Sequence, residues 1–338
     1  CREGVIAMDM SFMGKFLVQG RGAGTFLNYI SANEVDGEAG RITYTQWLNE
    51  DGLLEADLTV TKIDDETFMV VTSDIAHRHT ETWMKRHIAD GQNVVVTDVT
   101  SGIGQLNVHG PHSRELLQSI TSTDLSNEAF PFRTAREIDI GLARVMCTRI
   151  TYVGELGYEL NIPSEQAVHV YDRIVEAGEK FGLRHAGLKA LASLRLEKGY
   201  RDYGHDIDNM DDPYSTGLGF AIRLDKEGDF IGKQACARRK AEGRFRHRLI
   251  QVLLQDPEPQ MFHQEIMLRN GVPVGYVRAA SYGHTLGGAV GLAMVEGDPV
   301  DAAYLEEGNW EVDIAGKHYP ATVSLKPMYD PGMKKIRA

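Results

Sequence analysis

The chain has 338 residues, 42% of them hydrophobic and 25% charged, ordinary values for a globular protein of two or three domains. These figures exclude a collagen-like, coiled-coil or disordered chain, and no apolar run nears the ~20 residues a membrane helix needs. With 36 Lys and Arg against 48 Asp and Glu, the net charge of −12 disfavours nonspecific nucleic-acid binding and demands local cations wherever an anion is held.

Cys1, Cys147 and Cys236 are too widely spaced for a disulfide framework or a zinc ribbon, and they suit a reducing compartment. The expected location is cytoplasmic, or the mitochondrial matrix in a eukaryote. The opening Cys1-Arg-Glu-Gly-Val carries no signal-peptide pattern and reads as part of a longer or processed chain.

In chain order, Lys15–Gln19 reads as a strand, Gly20–Gly24 as a turn and Thr25–Ser31 as a helix. Arg41–Leu48 and Leu53–Val60 form a hairpin about Asn49-Glu-Asp-Gly52. In the returning strand Leu54, Ala56, Leu58 and Val60 share one face, so Asp57 points off it, into solvent or a cleft. Phe68–Ser73 reads as a strand, Ile75–Ile88 as a helix and Asn93–Val99 as a strand. Further on come strands at Ala143–Tyr152 and Tyr158–Ile162, then helices at Glu165–Phe181 and Ala186–Tyr200. Arg195 continues the stripe of Leu188, Leu191 and Ala192, so its guanidinium is partly buried and needs a partner. Gly228–Gly243 holds a short helix. From Leu249 onward the pattern is strand and turn, which predicts a small β-barrel or sandwich.

Several motifs tempt and fail. Gly20-Arg-Gly-Ala-Gly24 has Thr25 where a dinucleotide fingerprint needs its third Gly, and reads as a structural turn. Gly228-Asp-Phe-Ile-Gly-Lys233-Gln234 is a residue short of a P-loop and lacks Ser or Thr after the Lys. Asp206–Asp212 lacks the Gly of a calcium loop and reads as a solvated acidic loop. His77-Arg-His79 has no recognisable third ligand, so no metal site is assigned. The basic run from Lys233 to Arg248 reads as a solvated helix and linker.

Three stretches carry more. They are Tyr44 to Val60, Tyr152-Val-Gly-Glu-Leu-Gly-Tyr-Glu159-Leu, and Ser193-Leu-Arg195-Leu-Glu-Lys-Gly-Tyr. With them the chain resembles the folate-dependent aminomethyltransferase family typified by the glycine-cleavage T-protein. The likeness is closer to the C-terminal folate-binding half of dimethylglycine and sarcosine dehydrogenases and oxidases. Leu-Ser-Asn-Glu-Ala-Phe-Pro-Phe132, Phe-Ile-Gly-Lys233 and Tyr-Asp-Pro-Gly-Met333 support it, and it covers essentially the whole chain.

The resemblance implies an α+β, three-lobed fold: two ferredoxin-like lobes and a C-terminal β-barrel around a central folate cleft. The expected boundaries put the first lobe at about 1–46 and 140–244, the second at about 47–139, and the barrel at 245–338. It implies that tetrahydrofolate takes up a one-carbon unit from the demethylation of an N-methyl amino acid and leaves as 5,10-methylenetetrahydrofolate. Asp57 matches the family's catalytic carboxylate, and Glu159 its pterin-binding Glu, a residue type that accepts paired N–H donors. Tyr44 and Tyr152 match folate-contacting tyrosines that offer aromatic walls. Thr59 and Val71 match positions that touch folate, and Arg195 matches the Arg for the folate glutamyl carboxylates.

The relatives' amine-oxidising flavin domain has no counterpart in these 338 residues, so FAD is expected only in a separate domain or subunit. The expected partners are folate and that FAD amine oxidase domain, with neither nucleic acid nor membrane. The alternatives are a non-enzymatic regulatory relative, resembling the pyruvate dehydrogenase phosphatase regulator, and a stand-alone folate-dependent methyltransferase.

Overall fold

The computed structural model describes residues 1–338. Three β-structures organise the chain: a six-stranded sheet, a five-stranded sheet and a closed barrel. No helix is long and apolar enough to cross a membrane.

The five-stranded sheet is antiparallel and draws on one continuous segment. Its spatial order is Ile42–Leu48, Leu54–Lys62, Thr67–Thr72, Gly14–Gln19, Val95–Asp98. Alternation sends Phe16, Val18, Ala56, Leu58, Val60, Phe68 and Val70 to one face. Phe26, Leu27 and Ile30 of the helix Ala23–Ile30, with Trp83 and Met84 of the helix His77–His87, bury that face.

The six-stranded sheet runs Arg184–His185, Ile6–Asp9, Ile103–His109, Gly157–Pro163, Ala143–Thr148, Ala135–Ile140. Its apolar face carries Ala7, Leu106, Val108, Val145, Tyr158 and Leu160. Leu116 and Leu117 of the helix Ser113–Gln118 cover it, as do Val170 and Ile174 of the helix Ala167–Gly178.

The sheets divide the chain differently from the boundaries expected for the first two lobes. Gly14–Gln19 pairs with Thr67–Thr72, and Ile103–His109 pairs with Gly157–Pro163. Residues 14–98 therefore form one unit, inserted between the strands Ile6–Asp9 and Ile103–His109 of the other. Alternation identifies a strand and its inner face but not its partner.

The barrel closes in the order His247–Leu254, Gly288–Glu296, Val272–Gly283, Ile266–Arg269, Trp310–Ile314, Lys317–Ser324. It also holds a short helix, Ala302–Glu306, where only strand and turn were expected. Asp301 caps that helix by accepting the backbone N–H of Tyr304 at 2.9 Å.

Glu197 ties the parts together at the end of the helix Leu188–Glu197. Its Oε2 accepts from Arg2 at 2.8 Å, and its Oε1 accepts the backbone N–H of Thr285 at 2.6 Å. Buried Lys226 makes a second tie: its ammonium donates to the carbonyls of Ser31 at 2.6 Å and Asn33 at 3.0 Å, and also to Asn28.

The glycines at 20–24 have structural reasons. Gly20 has φ +125°, a left-handed value that favours Gly, and a Cβ on Gly24 would stand 2.3 Å from Asp36 Oδ2.

Candidate functional site

Each sheet buries one face under its helices and keeps a more polar face; Tyr44, Asp57, Thr59, Val71 and Glu159 lie on these second faces, whereas Tyr152 lies in the loop before the strand Gly157–Pro163 and Arg195 on the helix Leu188–Glu197. In the five-stranded sheet Tyr44 is opposite Thr59, Thr59 opposite Val71, and Val71 opposite Lys15. One step along, Gln46 is opposite Asp57. Opposed residues and their i±2 neighbours share a face, so all six side chains project together.

In the six-stranded sheet Glu159 lies between Asn107 and Thr148, and Gln105 faces Asn161 alongside. Asn107 Nδ2 donates to Glu159 Oε1 and Gln105 Nε2 to Glu159 Oε2, both at 3.3 Å. The carbonyl oxygens Gln105 Oε1 and Asn161 Oδ1 are buried without a donor. These two acceptors beside a carboxyl present a surface that invites several N–H groups.

Burial dominates the electrostatics. It raises the Glu159 carboxyl to about 7, against the Asn107 hydrogen bond and the Lys15 charge, which favour ionisation. Burial likewise raises Asp57 to about 6, although Tyr44 and Gln46 both favour its charged form. Gln46 Nε2 donates to Asp57 Oδ1 at 2.9 Å. Both carboxyls remain half-buried rather than sealed, so each can meet a ligand. Lys15, fully buried, donates to the Ser11 carbonyl at 3.0 Å and the Met13 carbonyl at 2.8 Å. Burial lowers its ammonium to about 8, while Asp9 and Glu159 oppose that shift.

Two aromatic pairs flank Asp57. Tyr152 stacks on Tyr200 with centroids 5.8 Å apart and planes 9° apart, and its hydroxyl donates to the Arg201 carbonyl. Tyr44 stacks on Phe220 at 6.0 Å and 21°, and Phe220 is 73% exposed. Tyr44, Tyr152 and Asp57 lie close enough for the charge of Asp57 to raise both phenols, beyond the larger effect of burial. The structure thus brings Tyr44, Asp57, Thr59, Val71 and Tyr152 together, while Glu159 stands apart on the other sheet, near enough to Lys15 of that row for the ammonium to favour its charged form.

Arg195 takes a different place from the one expected for a residue that meets glutamyl carboxylates. Its side chain is 6% exposed, and Nη1 donates to Asp206 Oδ1 at 2.6 Å and to the Tyr200 carbonyl at 3.0 Å. Burial opposes its charge, but Asp206, Tyr152 and Asp202 outweigh that and raise its pKa. The guanidinium anchors the loop beside Tyr152 rather than standing open to an incoming anion. The same contact corrects the expectation of a solvated acidic loop. Asp206 is fully buried against Arg195, and Asp211 is buried with its Oδ2 2.6 Å from Arg278 Nη1 of the barrel.

Sequence reasoning missed Gln46, Gln105, Asn107 and Asn161. The alternation Gln105-Leu-Asn107-Val-His109 was an available signal for a strand with one polar face. Asp206 was signalled only indirectly, by the need of Arg195 for an acid. No group of three or more His, Cys, Asp or Glu side chains is placed to hold a metal ion.

Comparison with known proteins agrees with this architecture. Residues 1–226 match the GCVT N-terminal domain, and residues 247–330 match the glycine cleavage T-protein C-terminal barrel domain. The chain belongs to the glycine-cleavage T-protein, or aminomethyltransferase, family. It is 42% identical over 336 residues to 4-methylaminobutanoate oxidase (formaldehyde-forming) of Paenarthrobacter nicotinovorans, covering 99% of this chain and 40% of that protein. It is 34% identical over 297 residues to an aminomethyltransferase of Clostridium botulinum, covering 87% and 79%. Aminomethyltransferase T of the glycine cleavage system from Bartonella henselae shares the fold, with a TM-score of 0.85 at 24% identity over 98% of this chain and 88% of that one. The chain spans about two fifths of the length of its oxidase and dehydrogenase relatives.

Proposed function

We propose that this chain binds tetrahydrofolate between its two sheets and captures a one-carbon unit released by demethylation of an N-methyl amino acid of the dimethylglycine or sarcosine type. One observation carries the reading: two half-buried carboxyls, Asp57 and Glu159, stand on the polar faces of separate sheets, one between aromatic pairs and the other among unpaired acceptors. Glu159, Gln105 and Asn161 suit a heterocycle edge rich in N–H donors, as a pterin is. Tyr152 and Tyr44 offer flat apolar walls, and Thr59 and Val71 line the row between them. Bound tetrahydrofolate would supply the two nitrogens that take up the carbon as 5,10-methylenetetrahydrofolate.

Asp57 then has the chemical task. Its carboxylate stabilises a cationic iminium carbon donor and accepts one of the two folate N–H protons as the two new C–N bonds form; the iminium's own C–N bond breaks, and the demethylated amine leaves with the other proton. An acid at about 6 is largely ionised at neutral pH yet basic enough to take that proton. Arg195 and Asp206 position the Tyr152–Tyr200 wall. The amine oxidation belongs to an FAD-containing domain or subunit outside these residues. The retained Asp57, Tyr152 and Glu159 favour this reading over a regulatory relative without folate chemistry.

Titration calorimetry of tetrahydrofolate into the chain, beside Glu159→Ala, tests the reading. Saturable binding that the substitution abolishes supports it; no binding by the folded wild-type chain overturns it.

A further inference from the structure

Gln46 is a costly residue for its position. It sits on the strand Ile42–Leu48 with 0% exposure, between buried Thr45 and Trp47. An apolar side chain would fill the space without an amide to satisfy. Its Nε2 has one partner, Asp57 Oδ1 at 2.9 Å on the directly opposed strand. Its Oε1 is buried and has none. An amide presents a donor and an acceptor of nearly the same shape, so a half-turn of its terminal group exchanges them in place.

We propose that Gln46 is the positioning residue for Asp57 and holds its carboxyl toward the cleft in both protonation states. Nε2 donates to the carboxylate; after the half-turn, Oε1 accepts from the carboxylic acid. The unpaired oxygen gains its partner when Asp57 takes up a proton. The amide thus keeps the side chain aimed while its charge changes, which a fixed donor such as Lys, or a fixed acceptor, does not do. The other groups facing Asp57 are Tyr44, Tyr152, Asp202, Asp206 and Arg201. Asp202 and Asp206 disfavour its charge and Tyr44, whose hydroxyl can also donate or accept, favours it; Gln46 differs in lying fully buried on the directly opposed strand with an acceptor that has no other partner.

The inference rests on the reading of Asp57 as the working carboxyl, and its test is independent of folate. The chain is labelled with carboxyl-13C aspartate, and the Asp57 resonance is assigned by its loss in Asp57→Asn. Its chemical shift is followed from pH 4 to pH 9 in wild type, Gln46→Met and Gln46→Glu. Met keeps the length and removes both polar atoms; Glu keeps the shape and adds a like charge. The expected result in Gln46→Met is an upward move of the inflection by about half a pH unit, because the charge-assisted bond lost from the carboxylate outweighs the neutral bond lost from the acid, and a larger move in Gln46→Glu. The acid limb of the methylene-transfer pH profile moves with it. An unmoved inflection in folded Gln46→Met overturns the proposal, and should that variant fail to fold, an unmoved inflection in the isosteric Gln46→Glu does so. Failure of the wild-type chain to bind tetrahydrofolate overturns the functional reading instead and leaves this titration intact.

Discussion

Arg195 and Asp206 form an ion pair at 2.6 Å in which the side chains are 6% and 0% exposed. A pair this deep does little for net stability when intact, because both charges have left water. Its effect shows when one partner is removed.

Asp206→Ala leaves the guanidinium with only the longer 3.9 Å contact to the part-exposed Asp202 and frees the 200–206 loop. The expected loss is about 3–5 kcal/mol, read from urea unfolding. Asp208→Ala, at an exposed neighbour, changes stability by about 0.5 kcal/mol or less. Equal effects from the two substitutions would contradict a buried anchor.

Asp57→Asn keeps the shape of the side chain and removes its basicity. Methylene transfer from an iminium donor falls by about 10²–10⁴-fold, while the tetrahydrofolate affinity in calorimetry stays within about threefold. In the wild-type chain the transfer rate declines as pH falls through about 6, where the carboxylate is lost. A rate that is flat across that range would remove Asp57 from the proton step.

Glu159→Gln trades binding for stability. The carboxyl rises from 4.5 to about 7 on folding. Below pH 4.5 both states are protonated and its contribution is intact. As pH rises through 4.5 the unfolded chain ionises first, so stability is lost progressively until about 7 and then levels. The neutral Gln escapes that loss. Discounting for partial exposure, the variant gains about 1 kcal/mol and about 2 °C in Tm at pH 8, and nothing at pH 4. Thermal melts at the two pH values check the sign, and calorimetry checks the accompanying loss of tetrahydrofolate binding.

Lys226→Met strips a cluster of carbonyl acceptors of their donor. Ser31 and Asn33 lose their contacts at 2.6 Å and 3.0 Å, at an expected cost of about 2–4 kcal/mol. Lys226→Arg does not restore it, because a planar fork cannot replace the compact ammonium among these carbonyls. Full stability in the Arg variant would sink this account.

Local patterning made much of this structure legible. The face shared by Leu54, Ala56, Leu58 and Val60 lies in the core, and Asp57 projects from the opposite one. Arg195 is buried and partnered as expected, although Leu188, the head of the apolar stripe that suggested this, is 57% exposed. Partner choice was not legible, because the alternation in Gly14–Gln19 is equally consistent with either sheet. Asp211 read as solvated because its counter-ion, Arg278, lies 67 residues further on. The site residues came from resemblance. Spacing alone gave Asp57 a direction and Glu159 nothing, and the strand carrying Gln105 and Asn107 was not read at all.

The insertion of residues 14–98 into the six-stranded sheet bears on synthesis. Every strand of the inserted sheet has emerged from the ribosome by Asp98, so that sheet can close early from contacts near in sequence. The strand Ile6–Asp9 must meanwhile wait for Ile103–His109, and its other edge for Arg184–His185. Between those moments it trails as an unpaired edge carrying Ile6 and Met8, a point of aggregation risk for the nascent chain.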